Sequence, residues 1–242
     1  KIAILGSSLI LFKQPVKELA KLNIIIGYDG SHVLGLIAGQ AFQDPLKEGA
    51  IALFGSTHKS FFGPQGGIFL SNEDFGIDKM ILHKLVDNAH WNRIAALTWA
   101  LLEMKHFGKE YAHQIIKNSQ ALAKNLYERK FPIAGEEYGF TESHQVLMIF
   151  QDYKKNVDFA KKLEEANIIV DCGIRLGVNE VTRRGMKEKE MERMAELIER
   201  VYKNEDIEKV RQDVIKLRKE FDDIEYRFKD VNLNYLIEEL IK

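Results

Sequence analysis

The sequence predicts an α/β fold, a mostly parallel sheet with helices, followed by a smaller α+β domain. Three observations carry this. Apolar runs of strand length at residues 2–5, 23–28 and 50–54 alternate with helical segments, the pattern of successive βα units. Polar, chemically capable residues follow two of those runs, Asp29 directly after the second and Lys59 after the third by way of Ser56, Thr57 and His58. From Phe131 onward the pattern changes to short strands among amphipathic helices. Residues 1–112 are therefore read as a large-domain portion with a linking helix, and 113–242 as the small domain.

The first strand is expected within residues 1–11, ending in Gly6-Ser7-Ser8, and a short helix at 14–22 has Pro15 in its first turn, where a missing N–H costs nothing. The second strand, 23–28, runs into Asp29-Gly30-Ser31-His32. Residues 33–42 are glycine-rich and apolar and form a turn and short helix near the sheet. Residues 50–54 and 67–70 are the third and fourth strands, separated by Ser56-Thr57-His58-Lys59, two phenylalanines and the turn Gly63-Pro64-Gln65-Gly66-Gly67. Residues 87–130 show apolar positions at helical spacing, Ile94, Leu97, Leu101 and Met104, then Ile115, Ile116, Leu122 and Leu126; Gly108 is expected to divide them into two helices. In the second domain a strand is expected at 145–151, a helix at 157–166, one or two short strands at 168–176 and a helix at 186–202. Ile207, Val210, Val214, Leu217, Phe221 and Ile224 alternate spacings of three and four. That stripe covers barely three heptads, so it reads as a helix lying on its own domain before it reads as a coiled coil.

Composition narrows the function. With 242 residues and 45% hydrophobic content the chain can bury a core. A net charge of -1 gives no electrostatic footprint for nucleic acid or an anionic membrane. No apolar run reaches membrane-span length and no signal peptide is visible. The single cysteine, Cys172, excludes an intrachain disulfide, fits a reducing cytoplasm and is expected to pack as a small hydrophobe. Four prolines with abundant Lys, Glu and Ile are compatible with a thermophilic source.

The chemistry centres on Lys59, at the end of a buried strand. Lysine lowers its pKa readily when buried, which suits Schiff-base formation. In open α/β sheets ligands gather at the carboxyl ends of strands, and Asp29 stands at such an end one unit away. Each residue also has a plainer use. Lys59 alone reads as a solvated loop lysine, and Asp29 as the start of a turn with Gly30. His32 and His58 read equally as core histidines with one satisfied hydrogen bond. Arg175 pairs as well with Glu180 at the surface, although its neighbours Gly173, Ile174, Leu176 and Gly177 suggest a shielded site. His90 beside Trp91 reads as a stacking pair or a helix start.

A lysine that forms an imine, with a carboxylate at a neighbouring strand end, is what pyridoxal 5'-phosphate requires. YDGSHVLGL (28–36), STHKSFFGPQGG (56–67) and GIRLGVNEVTRRGM (173–186) resemble the serine hydroxymethyltransferases, fold-type I pyridoxal phosphate enzymes. Asn88-Ala89-His90 and the 143–147 strand extend the resemblance over nearly the whole chain. It implies that Lys59 holds the cofactor, that Asp29 pairs with its ring nitrogen, and that His32 bonds near the phenolic oxygen or the substrate. Ser56 and Thr57 would line the imine and His58 would tune specificity beside it. Gly66 and Gly67 would offer backbone N–H groups to a phosphate, that of a partner subunit, and Arg175 would grip the amino-acid carboxylate. The implied reaction interconverts serine and glycine and moves a one-carbon unit to a reduced folate or pterin, in a cytoplasmic homo-oligomer, a dimer.

Two departures qualify the match. Where the family's bacterial and eukaryotic members read Thr-Leu-Arg-Gly-Pro-Arg after the lysine, this chain has Ser60-Phe61-Phe62-Gly63-Pro64-Gln65. Both arginines are absent, as in an archaeal-type variant. The family's amino-terminal half, with its phosphate cup and catalytic glutamate, has no counterpart here. The chain is therefore expected to be a carboxyl-terminal portion, inactive alone, that associates to cover an exposed edge strand. A related pyridoxal phosphate aldolase or aminotransferase, or a non-catalytic subunit, are the alternatives.

Overall fold

A computed structural model describes residues 1–229. They fall into two compact units. One comprises Lys1–Ser8, Lys13–Glu110 and the segment starting at Arg227; the other comprises Leu9–Phe12 and Tyr111–Tyr226.

The first unit is built on a four-stranded sheet in the order β1 (Ile2–Leu5), β2 (Ile25–Asp29), β3 (Ala52–His58), β4 (Phe62–Leu70). The pairs β1–β2 and β2–β3 are parallel, and β3–β4 is antiparallel. The helices α1 (Val16–Ala20), α2 (Leu34–Ala38) and α3 (Pro45–Glu48) connect and cover the parallel strands. α3 begins at Asp44, whose carboxylate accepts from Lys47 N–H at 3.3 Å, and ends at Gly49 in the left-handed region, φ 112°. Ile26, Tyr28 and Leu53 from the strands are buried, as are Val33, Leu36 and Phe61.

Strand register sorts the side chains into two faces. Ile2 stands beside Ile25, Ile4 beside Gly27 and Ala52, Asp29 beside Phe54 and Phe69, and Ser56 beside Gly67. All of these lie on one face. Ile2 and Ile4 are 72% and 65% exposed there, and Ile25 and Phe69 are exposed as well. Asp29 and Ser56 thus share the open, apolar side of the sheet.

After β4, α4 (Ile77–Met80) runs into a single π turn at 81–85 and then into α5 (Trp91–Glu128). α5 passes straight through Gly108, against the expected division. A Cβ there would stand 2.5 Å from Met104 Sδ and 3.8 Å from Gly39 Cα, so the glycine serves close packing and not a break. The chain returns to this unit at Arg227, and Phe228 contacts Trp99, His106 and Phe107 and donates its N–H to the buried Glu103 carboxylate at 3.3 Å.

The second unit pairs β5 (Gln145–Leu147) antiparallel with β6 (Arg175–Gly177). Both are shorter than expected. Its helices are α6 (Tyr153–Glu165), α7 (Asn179–Arg183), α8 (Glu188–Tyr202) and α9 (Ile207–Lys219). α6 starts a turn earlier than its apolar spacing suggests, because Asp152 caps it by accepting from Lys154 N–H at 2.9 Å. Val210 and Leu217 of α9 are buried within this unit, so the three–four stripe packs on its own domain. Cys172 is exposed, against the expected packed role: it sits in the turn before β6, not on the inward face of a strand. Among the described residues no helix is long and apolar enough to cross a membrane.

The core of the first unit carries a pH signature. Tyr28 is fully buried and donates to Gln43 Oε1 at 3.1 Å. Burial, then the Glu48 and Asp29 carboxylates, push its phenol well above the ordinary value of about 10. The folded state therefore holds this proton more tightly than the unfolded state. The stability it lends is complete below pH ~10 and falls as pH rises above that, by up to about 1.4 kcal/mol per pH unit. Tyr28→Phe is expected to flatten the alkaline decline in urea midpoint above pH ~10. Gln43 Oε1 keeps Gln14 N–H as a donor at 2.7 Å, so the loss at neutral pH stays small. An unchanged alkaline decline would contradict the buried-phenol assignment.

Candidate active site

The candidate residues of the first unit gather where β2 and β3 end side by side. Asp29 is the last residue of β2, and Lys59 follows the last residue of β3. Gly55 makes that approach possible, and Gly6 lets the end of β1 come against Asp29. A Cβ on Gly6, whose φ is 129°, would lie 2.5 Å from Asp29 O and 2.6 Å from Asp29 Cβ. One on Gly55 would lie 2.9 Å from Ser31 N and 3.1 Å from Gly30 C.

A chain of hydrogen bonds joins the two strand ends. Ser31 N–H donates to Asp29 Oδ1 at 2.9 Å and fixes that carboxylate oxygen. Ser56 N–H donates to Ser31 Oγ at 3.1 Å, and Ser56 Oγ reaches Ser31 O at 3.4 Å. Lys59 Nζ donates to Ser56 Oγ at 2.7 Å. Lys59 is exposed and not sunk beneath the sheet, as a buried reactive amine would be. It makes no ion pair among the described residues; its partner is a neutral hydroxyl.

The backbone around Lys59 is pinned from below. Ser60 is fully buried, and its Oγ accepts from Gly35 N–H in the first turn of α2 at 3.0 Å. That turn's amides have no partner within the helix, so the hydroxyl meets a real need. Phe61 is buried beside it. With Ser60 and Phe61 held inside, Lys59 has only the outward direction left.

The Gly-Pro-Gln-Gly stretch is not a turn before a strand, as expected, but an irregularity within β4. Ser56 pairs with Gly67 and His58 with Phe62, so residues 63–66 bulge from the ladder. Thr57, buried, donates its hydroxyl to Pro64 O at 2.7 Å and holds the bulge. Gly66 N–H donates to His58 Nδ1 at 3.3 Å, and the Arg93 guanidinium lies where a Gly66 side chain would stand. His58 is exposed, and His32 is half-buried three residues after Asp29.

Arg175 belongs to the second unit, on β6. Its Nε pairs with Asp171 Oδ2 at 2.8 Å, and its own N–H donates to Asp171 Oδ1 at 3.0 Å. Glu180, the partner suggested by sequence, pairs with Arg184 instead at 3.3 Å. His90 is exposed just ahead of α5 and offers its carbonyl to Arg93 N and Ile94 N, the helix-start reading. Among the described residues no group of three or more His, Cys, Asp or Glu could hold a metal ion.

Ser31, Gly55 and Ser60 escaped sequence reasoning as parts of this site. Gly55 did leave a signal, since an isolated glycine inside a strand marks close backbone approach. Ser31 and Ser60 left none, because a serine in a turn is commonplace.

Comparison with known proteins finds relatives over most of this chain. The serine hydroxymethyltransferase family profile matches residues 7–198. The serine hydroxymethyltransferase of Archaeoglobus fulgidus is 44% identical over 94% of this chain, and that of Methanocaldococcus jannaschii 46% identical over 94%. The chain spans 57% and 59% of their respective lengths. Among solved structures, L-threonine transaldolase from Pseudomonas fluorescens, in an internal aldimine state, superposes with a TM-score of 0.87 at 34% identity. The match covers 99% of this chain and 59% of that one.

The clamp beneath Lys59 has a direct test. A Cβ on Gly35 would stand 2.1 Å from Ser60 O and 2.7 Å from Phe61 N, both backbone atoms that cannot step aside alone. Gly35→Ala is expected to cost about 2–3 kcal/mol of stability, read as a lower urea midpoint. A midpoint equal to wild type would mean that α2 does not press on the Ser60–Phe61 backbone.

Proposed function

The chain belongs to the serine hydroxymethyltransferase family, and on that premise we propose that it holds pyridoxal phosphate at Lys59 and serves the interconversion of serine and glycine, the one-carbon unit passing to a reduced folate or pterin. The observation that carries this reading is the hydrogen-bonded run from the Asp29 carboxylate through Ser31 and Ser56 to the Lys59 amine.

The residues present fit the cofactor. An aldehyde needs an accessible amine, and Lys59 Nζ is exposed and bound only to a hydroxyl. A pyridine nitrogen needs a fixed carboxylate, and Asp29 is one on the open face of the sheet. When bound, the group supplies a sink for the electron pair left at the α-carbon of an amino acid.

The protein's side chains then have distinct tasks. Lys59 Nζ anchors the cofactor and can carry a proton. Asp29 keeps a proton at the ring nitrogen, with Ser31 N–H holding the carboxylate in place. His32 hydrogen-bonds near the ring's phenolic oxygen or the substrate. Ser56 and Thr57 line the amine, and His58 tunes selection beside it. Gly66 and Gly67 offer backbone N–H groups to a phosphate, and for Gly66 this takes the N–H away from His58. Arg175 supplies a planar fork for the substrate carboxylate, and its Nε here pairs with the Asp171 carboxylate. We place the working form in the cytoplasm as a homodimer, with the exposed Ile2 and Ile4 among the surfaces that association covers.

A second reading is an aldol-type reaction on another hydroxy amino acid such as L-threonine. The close structural match to the transaldolase favours it, and turnover of L-threonine in preference to serine would select it.

Incubation with pyridoxal phosphate, borohydride reduction and peptide mapping tests the cofactor reading. The adduct is expected on Lys59 and lost in Lys59→Ala, with the thermal midpoint little changed because the side chain is exposed. An adduct concentrated on a different lysine would overturn the assignment. In the form that turns over amino acids, Arg175→Lys is expected to raise KM for serine roughly ten-fold, since a point charge replaces two aligned donors. An unaltered KM would move the carboxylate grip elsewhere.

A further inference from the structure

The way β2 ends leaves an unusual requirement on one side chain. Gly30 N–H donates to Phe54 O at 2.8 Å, the regular parallel rung after Asp29. In an unbroken ladder the Gly30 carbonyl would next accept from Ser56 N–H. It is turned away, and accepts from Val33 N–H at 2.9 Å as the chain bends into α2. Ser56 N–H finds Ser31 Oγ instead, at 3.1 Å.

We propose that Ser31 is a positioning residue of this site: its hydroxyl stands in for the lost backbone rung and sets the Ser56–Lys59 segment against the Asp29 carboxylate. Three contacts converge on it. Its N–H holds Asp29 Oδ1, its Oγ holds Ser56 N–H, and its carbonyl receives Ser56 Oγ, which in turn receives Lys59 Nζ. Gly55 makes the contact possible, since any side chain there would meet Ser31 N at 2.9 Å. Ser31 lies two residues beyond the strand, too late for a ladder partner, and only a short side chain carrying an acceptor can reach back. Alanine cannot make the bond, whereas threonine keeps the hydroxyl.

The inference rests on the cofactor reading for its consequence but not for its geometry, so two measurements separate them. Amide hydrogen exchange reads the rung itself. In Ser31→Ala the Ser56 amide is expected to exchange on the order of five-fold faster, the effect of one lost hydrogen bond, while the amides of Leu53 and Phe54 stay protected. Site-mapped labelling with pyridoxal phosphate and borohydride reads the positioning. The share of adduct on Lys59 should fall several-fold in Ser31→Ala and return in Ser31→Thr, with labelling of other lysines unchanged. A merely structural serine would alter the thermal midpoint without redistributing label. Unchanged exchange at Ser56, or unchanged labelling at Lys59 despite faster exchange, overturns the proposal. A wild-type chain that takes no label at Lys59 removes the cofactor reading and the positioning role with it, even where exchange confirms the rung.

Discussion

Two parallel strands can be bonded only as far as the shorter one runs, and here β2 stops first. Its last regular rung joins Gly30 N–H to Phe54 O. β3 continues for four more residues and then delivers Lys59. Whatever holds those extra residues in register decides where the amine sits relative to Asp29. On one side β4 supplies backbone partners as far as Gly67, and then the ladder slips through the 63–66 bulge. On the other side Ser31 continues the hold, through its Oγ and its carbonyl. Gly55, lacking a side chain, lets the two ends come within contact distance.

The hairpin that follows is fixed by burial. Ser60 and Phe61 are inside, against α2, and Gly35 is the residue that lets them sit there. Net stabilisation from a single buried hydrogen bond such as Gly35 N–H to Ser60 Oγ is about 1 kcal/mol, whereas burying Phe61 contributes roughly 1.5–3 kcal/mol. The phenylalanine thus dominates the hold and the serine sets its direction.

Much of this was legible from sequence because apolar periodicity reports burial. Residues 2–5, 23–28 and 50–54 read as strands, and they carry the parallel part of the sheet. Asp29 and Lys59 stood out because polar residues interrupt those runs. Other features were not legible. Gly108 reads locally as a helix breaker, and only the neighbouring Met104 and Gly39 show it to be a packing contact. The first turn of α6 is polar, and its cap, Asp152, lies outside the apolar pattern. Arg175 had two acidic candidates within reach, and the turn at 171–174 favoured Asp171 over Glu180. Ser31 depends on a rung that is missing, which no local pattern encodes.

The proposed cofactor would bridge the two strand ends. A crystal structure of the protein with pyridoxal phosphate tests it most directly. The expected result is continuous density from Lys59 Nζ to the cofactor, with the ring nitrogen within hydrogen-bond distance of the Asp29 carboxylate and Ser31 Oγ still on Ser56 N–H. Density joined to a different lysine, or a ring nitrogen with no contact to Asp29, would contradict it.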